Sequence, residues 1–159
     1  MIKVLFVCAG NICRSPMAEA VFAHLVEQEG LSDKISVDSA GTGSWHVGDC
    51  ADSRSLAVLK REKIPYDGRA RQLHVSDFEK FDYIVTMDTE NLSNVRRAAQ
   101  GANPRAEIKP FLSYAKAAGT VTAEEVPDPY YNNRFDIVYD LVKAGSEALL
   151  EHIKRQHRL

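Results

Sequence analysis

Residues Ile2 to Val7 form a run that is apolar, β-branched and aromatic except for Lys3, and it leads directly into CAGNICRS, Cys8 to Ser15. Continuous rather than alternating hydrophobicity marks a strand buried on both faces, as in a parallel sheet. Parallel partners need a crossover, and the next residues supply one. Ser15 is placed to cap a helix, and Pro16 suits its first position, where no backbone N–H is required. Met17, Val21 and Leu25 then recur at helical spacing, and Gly30 is a stop signal. Ile35 to Ser39 reads as a second strand. Strand, helix and strand make a βαβ unit, expected to be right-handed.

The pattern continues less cleanly. Asp52 is placed to cap a helix carrying Leu56, Val58 and Leu59, which IPYDG interrupts. FDYIVTMD, Phe81 to Asp88, predicts a third strand, with Asp88 or Thr89 opening the next helix. Ala106 to Lys109 suggests a short fourth strand, followed by a loop of roughly twenty residues that ends in EVPDPYYNN, Glu125 to Asn133. Phe135, Val138, Val142, Leu149 and Ile153 then mark one apolar stripe of a last helix. No internal repeat, linker or low-complexity tract divides the chain. The expected fold is a single α/β domain over residues 1–159. Its core is a small doubly wound parallel sheet of about four strands flanked by helices, with a phosphate-binding loop after the first strand.

Composition removes several function classes. A formal net charge of −2 gives no broad basic surface, so no nucleic acid is expected as a partner. No stretch approaches the ~18 apolar residues that span a membrane, and the N-terminus lacks a signal-peptide pattern. The three cysteines, Cys8, Cys13 and Cys50, cannot all pair with one another, and two share one short loop. A reducing, cytoplasmic setting with a working thiol fits better than a disulfide scaffold. His24, His46, His74, His152 and His157 have no ligand spacing with the cysteines, so neither a metal nor another cofactor is expected.

The loop CAGNICRS lies where open parallel sheets bind ligands, outside the carboxyl end of a strand. Gly10 and Asn11 both tolerate positive φ, so the backbone can turn several N–H groups inward, backed by the positive end of the following helix. That is a site for an oxyanion. It lacks the Gly-Lys-Ser/Thr ending of a nucleotide-binding loop. The same field favours a thiolate at Cys8. Arg14 adds a planar fork that holds two oxygens of a phosphate. A sulfur nucleophile beneath a tetrahedral dianion suits phosphoryl transfer to sulfur followed by hydrolysis. Such a route needs an acid for the leaving oxygen and then a base for water. Asp128 in DPYY is the candidate, held extended by Pro129 and flanked by aromatics suited to an aryl substrate.

VCAGNICRSP near the start and DPYY near the end resemble the low-molecular-weight protein tyrosine phosphatases, and the resemblance covers essentially the whole chain. It implies Cys8 as nucleophile, Arg14 as phosphate ligand and Asp128 as general acid and then base. It also implies that Ala9, Gly10, Asn11, Ile12, Cys13 and Ser15 surround the bound phosphate. Ser15 would hydrogen-bond the Cys8 sulfur, and Asn11 would hold the loop's strained shape with Ser39 in a supporting network. Trp45, in DSAGTGSWHVG, would stand at the rim with Tyr130 and Tyr131. Cys13 would form a reversible disulfide with Cys8 under oxidation. The implied partners are phosphotyrosine-containing proteins and a cognate tyrosine kinase that can phosphorylate Tyr130 or Tyr131. The starting expectation for oligomeric state is a monomer. One departure stands out: a histidine of that network often occupies the place of Gly68 in IPYDGRARQ.

Three alternatives share parts of this pattern. Protein-arginine phosphatases are similar at the cysteine loop, but a threonine tends to replace Ile12, whose apolar wall suits a phenyl ring. A related arsenate reductase needs two further cysteines downstream, and after Cys13 only Cys50 remains. A non-catalytic phosphate-binding module would need the loop but not Asp128.

Overall fold

Residues 1–100, 102 and 104–159 are described by the computed structural model. The chain runs β1 (Ile2–Cys8), α1 (Arg14–Gln28), β2 (Ile35–Gly41), α2 (Ser53–Arg61), α3 (Asp77–Lys80) and β3 (Tyr83–Thr86). It continues with α4 (Thr89–Ala98), β4 (Glu107–Pro110), α5 (Leu112–Ala117) and α6 (Phe135–His157). The four strands form one sheet in the order β2-β1-β3-β4, every neighbouring pair parallel. The doubly wound architecture follows from β1. Val4, Phe6 and Cys8 join a core cluster with Met17, Phe22, Phe111 and the apolar stripe of α6, whereas Leu5 and Val7 join Phe78, Ile84 and Val95 on the opposite face. Alternate side chains of one strand thus enter two cores, which is why the strand reads as an uninterrupted apolar run. The Phe6 ring makes T-shaped contacts with both Phe22 and Phe111, with centroids 5.6 and 5.1 Å apart.

The strand order reverses direction between β1 and β3, so a crevice opens beyond their carboxyl ends. Cys8 ends β1 there, and Met87 and Asp88 follow β3.

Several boundaries differ from the sequence expectation. α1 starts at Arg14, and Ser15 does not cap it, because its hydroxyl is committed to Asn11 and Cys8. Pro16 still lies in the first turn, where its missing N–H costs nothing. The third strand is only Tyr83–Thr86, and Asp88 is the cap of α4, its carboxylate accepting from the Asn91 N–H. The expected twenty-residue loop contains α5. Six residues give too few turns to show a period, and burial of Leu112, Tyr114 and Ala115 against α6 holds the segment in place. Asp52 caps α2 and Gly30 (φ +72°) follows the end of α1, as expected.

Candidate active site

Between Cys8 and Arg14 the outward carbonyls of the loop are tied down one by one. Thr42 N–H donates to Cys8 O (2.9 Å), Gly43 N–H to Ala9 O (3.0 Å), Asp52 N–H to Ile12 O (2.7 Å), and Ser55 Oγ to Cys13 O (2.9 Å). In a trans peptide the N–H points opposite to the C=O. Fixing those four carbonyls outward therefore turns the N–H groups of Ala9, Gly10, Cys13 and Arg14 toward the other side of the loop. The N–H of Asn11 points at Cys8 Sγ (3.3 Å). The loop is thus an anion nest at the N-terminus of α1.

Its two special residues work differently from each other. Asn11 takes φ +58°, as its position in the nest requires. Gly10 does not have positive φ; a Cβ there would stand 3.0 Å from the His46 ring, which would have to give way by a few tenths of an ångström.

Cys8, 3% exposed, forms the cavity floor with its sulfur 3.0 Å from Ser15 Oγ. Arg14 is equally buried, and its Nη1 donates to Asp88 Oδ2 (2.6 Å) and to the Val126 carbonyl (3.0 Å). Its Nη2 lies 3.7 Å from Asp128 Oδ2, beyond hydrogen-bond reach and facing the cavity. Burial works against the guanidinium charge, but Cys8, Asp88 and Asp128 more than offset it, and the group is held firmly cationic. Asp128 is half exposed, and its other oxygen accepts from the Tyr130 N–H (3.0 Å), which fixes the turn before the aromatic pair. The cavity measures about 390 Å³. Ala9, Gly10, Ile12 and Cys13 form the wall beside Cys8, while Trp45, His46, Tyr130 and Tyr131 form the rim. Trp45 and Tyr131 are largely exposed, and the two tyrosine rings meet edge to face at 4.9 Å.

The profile of the family described as "Low molecular weight phosphotyrosine protein phosphatase" matches residues 3–159. The chain belongs to this family. The low molecular weight protein-tyrosine-phosphatase YfkJ of Bacillus subtilis is 46% identical over the full length of both chains, and its crystal structure superposes with a TM-score of 0.92 over 98% of this chain and 96% of that one. A Schizosaccharomyces pombe low molecular weight phosphotyrosine protein phosphatase is 51% identical over 132 residues, 82% of this chain and 81% of that one. The structure of a Drosophila arginine phosphatase is also similar, at 36% identity and a TM-score of 0.89, covering 96% of this chain and 98% of that one.

Against the expectations for such a phosphatase, the fold brings Cys8, Arg14 and Asp128 to one cavity, with Trp45, Tyr130 and Tyr131 around its mouth. Asn11 and Ser15 do not line it; they sit behind the sulfur at 2% and 0% exposure. Asn11 Nδ2 donates to Ser15 Oγ (2.8 Å) and Ser39 Oγ (3.0 Å), while its Oδ1 accepts from the Arg71 N–H (3.0 Å). Sequence reasoning missed His46, Asp88 and the Val126 carbonyl. Asp88 had a usable signal, since an acid just past the end of a strand beside β1 must sit near the loop. Val126 contributes only backbone and leaves no signal in its side chain. Among the described residues no group of three or more His, Cys, Asp or Glu is placed to hold a metal, and no helix is long and apolar enough to cross a membrane.

Proposed function

We propose that the chain hydrolyses protein phosphotyrosine, and small aryl phosphates, without a metal and through a phosphocysteine intermediate. The observation that carries this reading is the opposition across one cavity of Cys8 Sγ on its nest and the Asp128 carboxyl beside Arg14 Nη2. The nest and Arg14 bind the three equatorial oxygens. Sγ attacks phosphorus, the P–O bond to the ring breaks, and Asp128 in its protonated form gives its proton to the leaving phenolate. The Asp128 carboxylate then takes a proton from water, which attacks phosphorus and releases inorganic phosphate, while Cys8 leaves as thiolate. Hydrogen bonds from Ser15 and from the Asn11 N–H stabilise charge on sulfur in both steps.

Ile12 and the aromatic rim favour a phenyl ring over a guanidinium group. A tyrosine kinase acting on the same proteins is the partner this chemistry implies, and a thiol nucleophile suits a reducing cytoplasm.

The test is p-nitrophenyl phosphate hydrolysis in chelator. Cys8→Ser is expected to abolish turnover, and Asp128→Ala to lower kcat for phenyl phosphate by about 10²-fold or more. Turnover surviving Cys8→Ser would refute the mechanism. Phosphoarginine peptides cleaved in preference to phosphotyrosine peptides would move the assignment to an arginine phosphatase.

A further inference from the structure

Behind Cys8 the hydrogen bonds branch from the Asn11 amide. The Arg71 N–H pins the Asn11 amide, so Nδ2 must donate, to Ser15 at one end and to Ser39 at the other. Ser15 Oγ is then filled as an acceptor from that side, and its proton is left for Cys8 Sγ at 3.0 Å. Ser39 likewise passes its own proton onward, to Glu19 Oε1 at 2.6 Å. Glu19 closes the Ser39 branch, because an ionised carboxylate only accepts. The same oxygen accepts a second hydrogen bond from the Tyr66 hydroxyl (3.1 Å).

Tyr66 reaches that oxygen only because residue 68 has no side chain. A Cβ at Gly68 would lie 2.3 Å from the Tyr66 hydroxyl oxygen and 2.6 Å from the ring carbon that bears it. The sequence departure at Gly68 therefore belongs to the placement of this phenol.

We propose that Tyr66, seated in the space left by Gly68, is a positioning residue that holds Glu19 as the acceptor end of this relay and so keeps Ser39, and through it the Asn11 amide, in place against Ser15 and the Cys8 sulfur. Burial pushes the Glu19 carboxyl up, opposed by its hydrogen bonds from Ser39 and Tyr66. Without the phenol, Glu19 shifts toward its protonated form, which can donate to Ser39 and turn the Ser39 hydroxyl out of its place, so that the Asn11 amide loses its firm seat on that side. Burial, and then the Glu19 charge, push the Tyr66 hydroxyl up, so it stays a donor. An Asn11 amide held less firmly aims Ser15 less well, which withholds stabilisation from sulfur both as attacking group and as leaving group.

The proposal rests on the phosphatase reading, and its test is read in two ways. Tyr66→Phe keeps the ring and removes one oxygen. It is expected to lower kcat for p-nitrophenyl phosphate about tenfold with KM changed less than about twofold. Glu19→Gln, which can donate to Ser39, is expected to lose at least as much. Gly68→Ala should match Tyr66→Phe, and the double variant should be no worse than either single one, since all three lack the same bond. Alkylation of Cys8 by iodoacetate at mildly acidic pH, which requires no turnover, should slow in the same variants. A wild type that alkylates normally but hydrolyses nothing would sink the phosphatase reading, and the alkylation rates would still judge the relay. Unchanged kcat and alkylation in Tyr66→Phe, with only a lower Tm, would reduce Tyr66 to a packing residue and overturn the proposal.

Discussion

Cys8 and Cys13 share one loop, yet their surroundings assign them opposite chemistry. Cys8 receives the Asn11 N–H and faces Ser15 and Arg14. Cys13 is 5% exposed, and burial, followed by the charges of Asp52 and Cys8, pushes its thiol up to about 12. At neutral pH Cys13 therefore stays protonated, and only a thiolate attacks at a useful rate. Brief iodoacetamide treatment at neutral pH, followed by mass mapping, is expected to label Cys8 and spare Cys13, with inorganic phosphate protecting Cys8. Labelled Cys13 would contradict this assignment. The pairing of Cys8 with Arg14 was legible because both lie in one octapeptide. The partners of Arg14 were not, since Asp88 and Val126 come from 74 and 112 residues away.

Helix α2 serves both halves of the site. Its N-terminal end holds the cysteine loop through the Asp52 N–H and Ser55 Oγ, and Arg54 reaches the other way to the acid-bearing segment. Arg54 is paired with Asp52, donates to the Tyr130 carbonyl (3.2 Å) and to Asn133 Oδ1, and lies over the rings of Tyr130 and Phe135. This helix therefore sets the separation of nucleophile and acid. Removing Arg54 should loosen the acid more than the nucleophile. The expected result of Arg54→Ala is a fall of about tenfold in kcat/KM for phenyl phosphate, whose leaving group needs a proton. For p-nitrophenyl phosphate, whose leaving group hardly needs one, the fall should be markedly smaller. Equal losses on both substrates would remove this role. The sequence reading found α2 from its cap and its apolar residues. It did not find the clamp, because an exposed arginine that bridges two segments looks like any solvated arginine.

At the scale of the molecule, β1 divides its side chains between two cores, Val4 and Phe6 on one face and Leu5 and Val7 on the other. Neither core survives loss of that strand, so we read residues 1–159 as a single cooperative domain. Urea unfolding followed by far-ultraviolet circular dichroism and by near-ultraviolet circular dichroism of the buried Tyr83, Tyr114 and Tyr139 is expected to give coincident single transitions. Two separated transitions would divide the domain. The βαβ start and the last helix were legible because burial imposes a period on a long element. The short helices α3 and α5 were not, being held by contacts with distant residues rather than by any pattern of their own.

The arginine that grips Val126 also orders events in time. Synthesis delivers Cys8 and Arg14 first, but β2, β3, the Asp88 carboxylate and the Val126 carbonyl follow one after another over more than a hundred residues. Parallel pairings this distant in the chain form late and slowly. A nascent chain halted before residue 126 carries its sulfur and its guanidinium without the frame that aims them. Hydrolytic competence thus waits on residues made more than a hundred positions later, and the cysteine loop is among the last segments to take its final place.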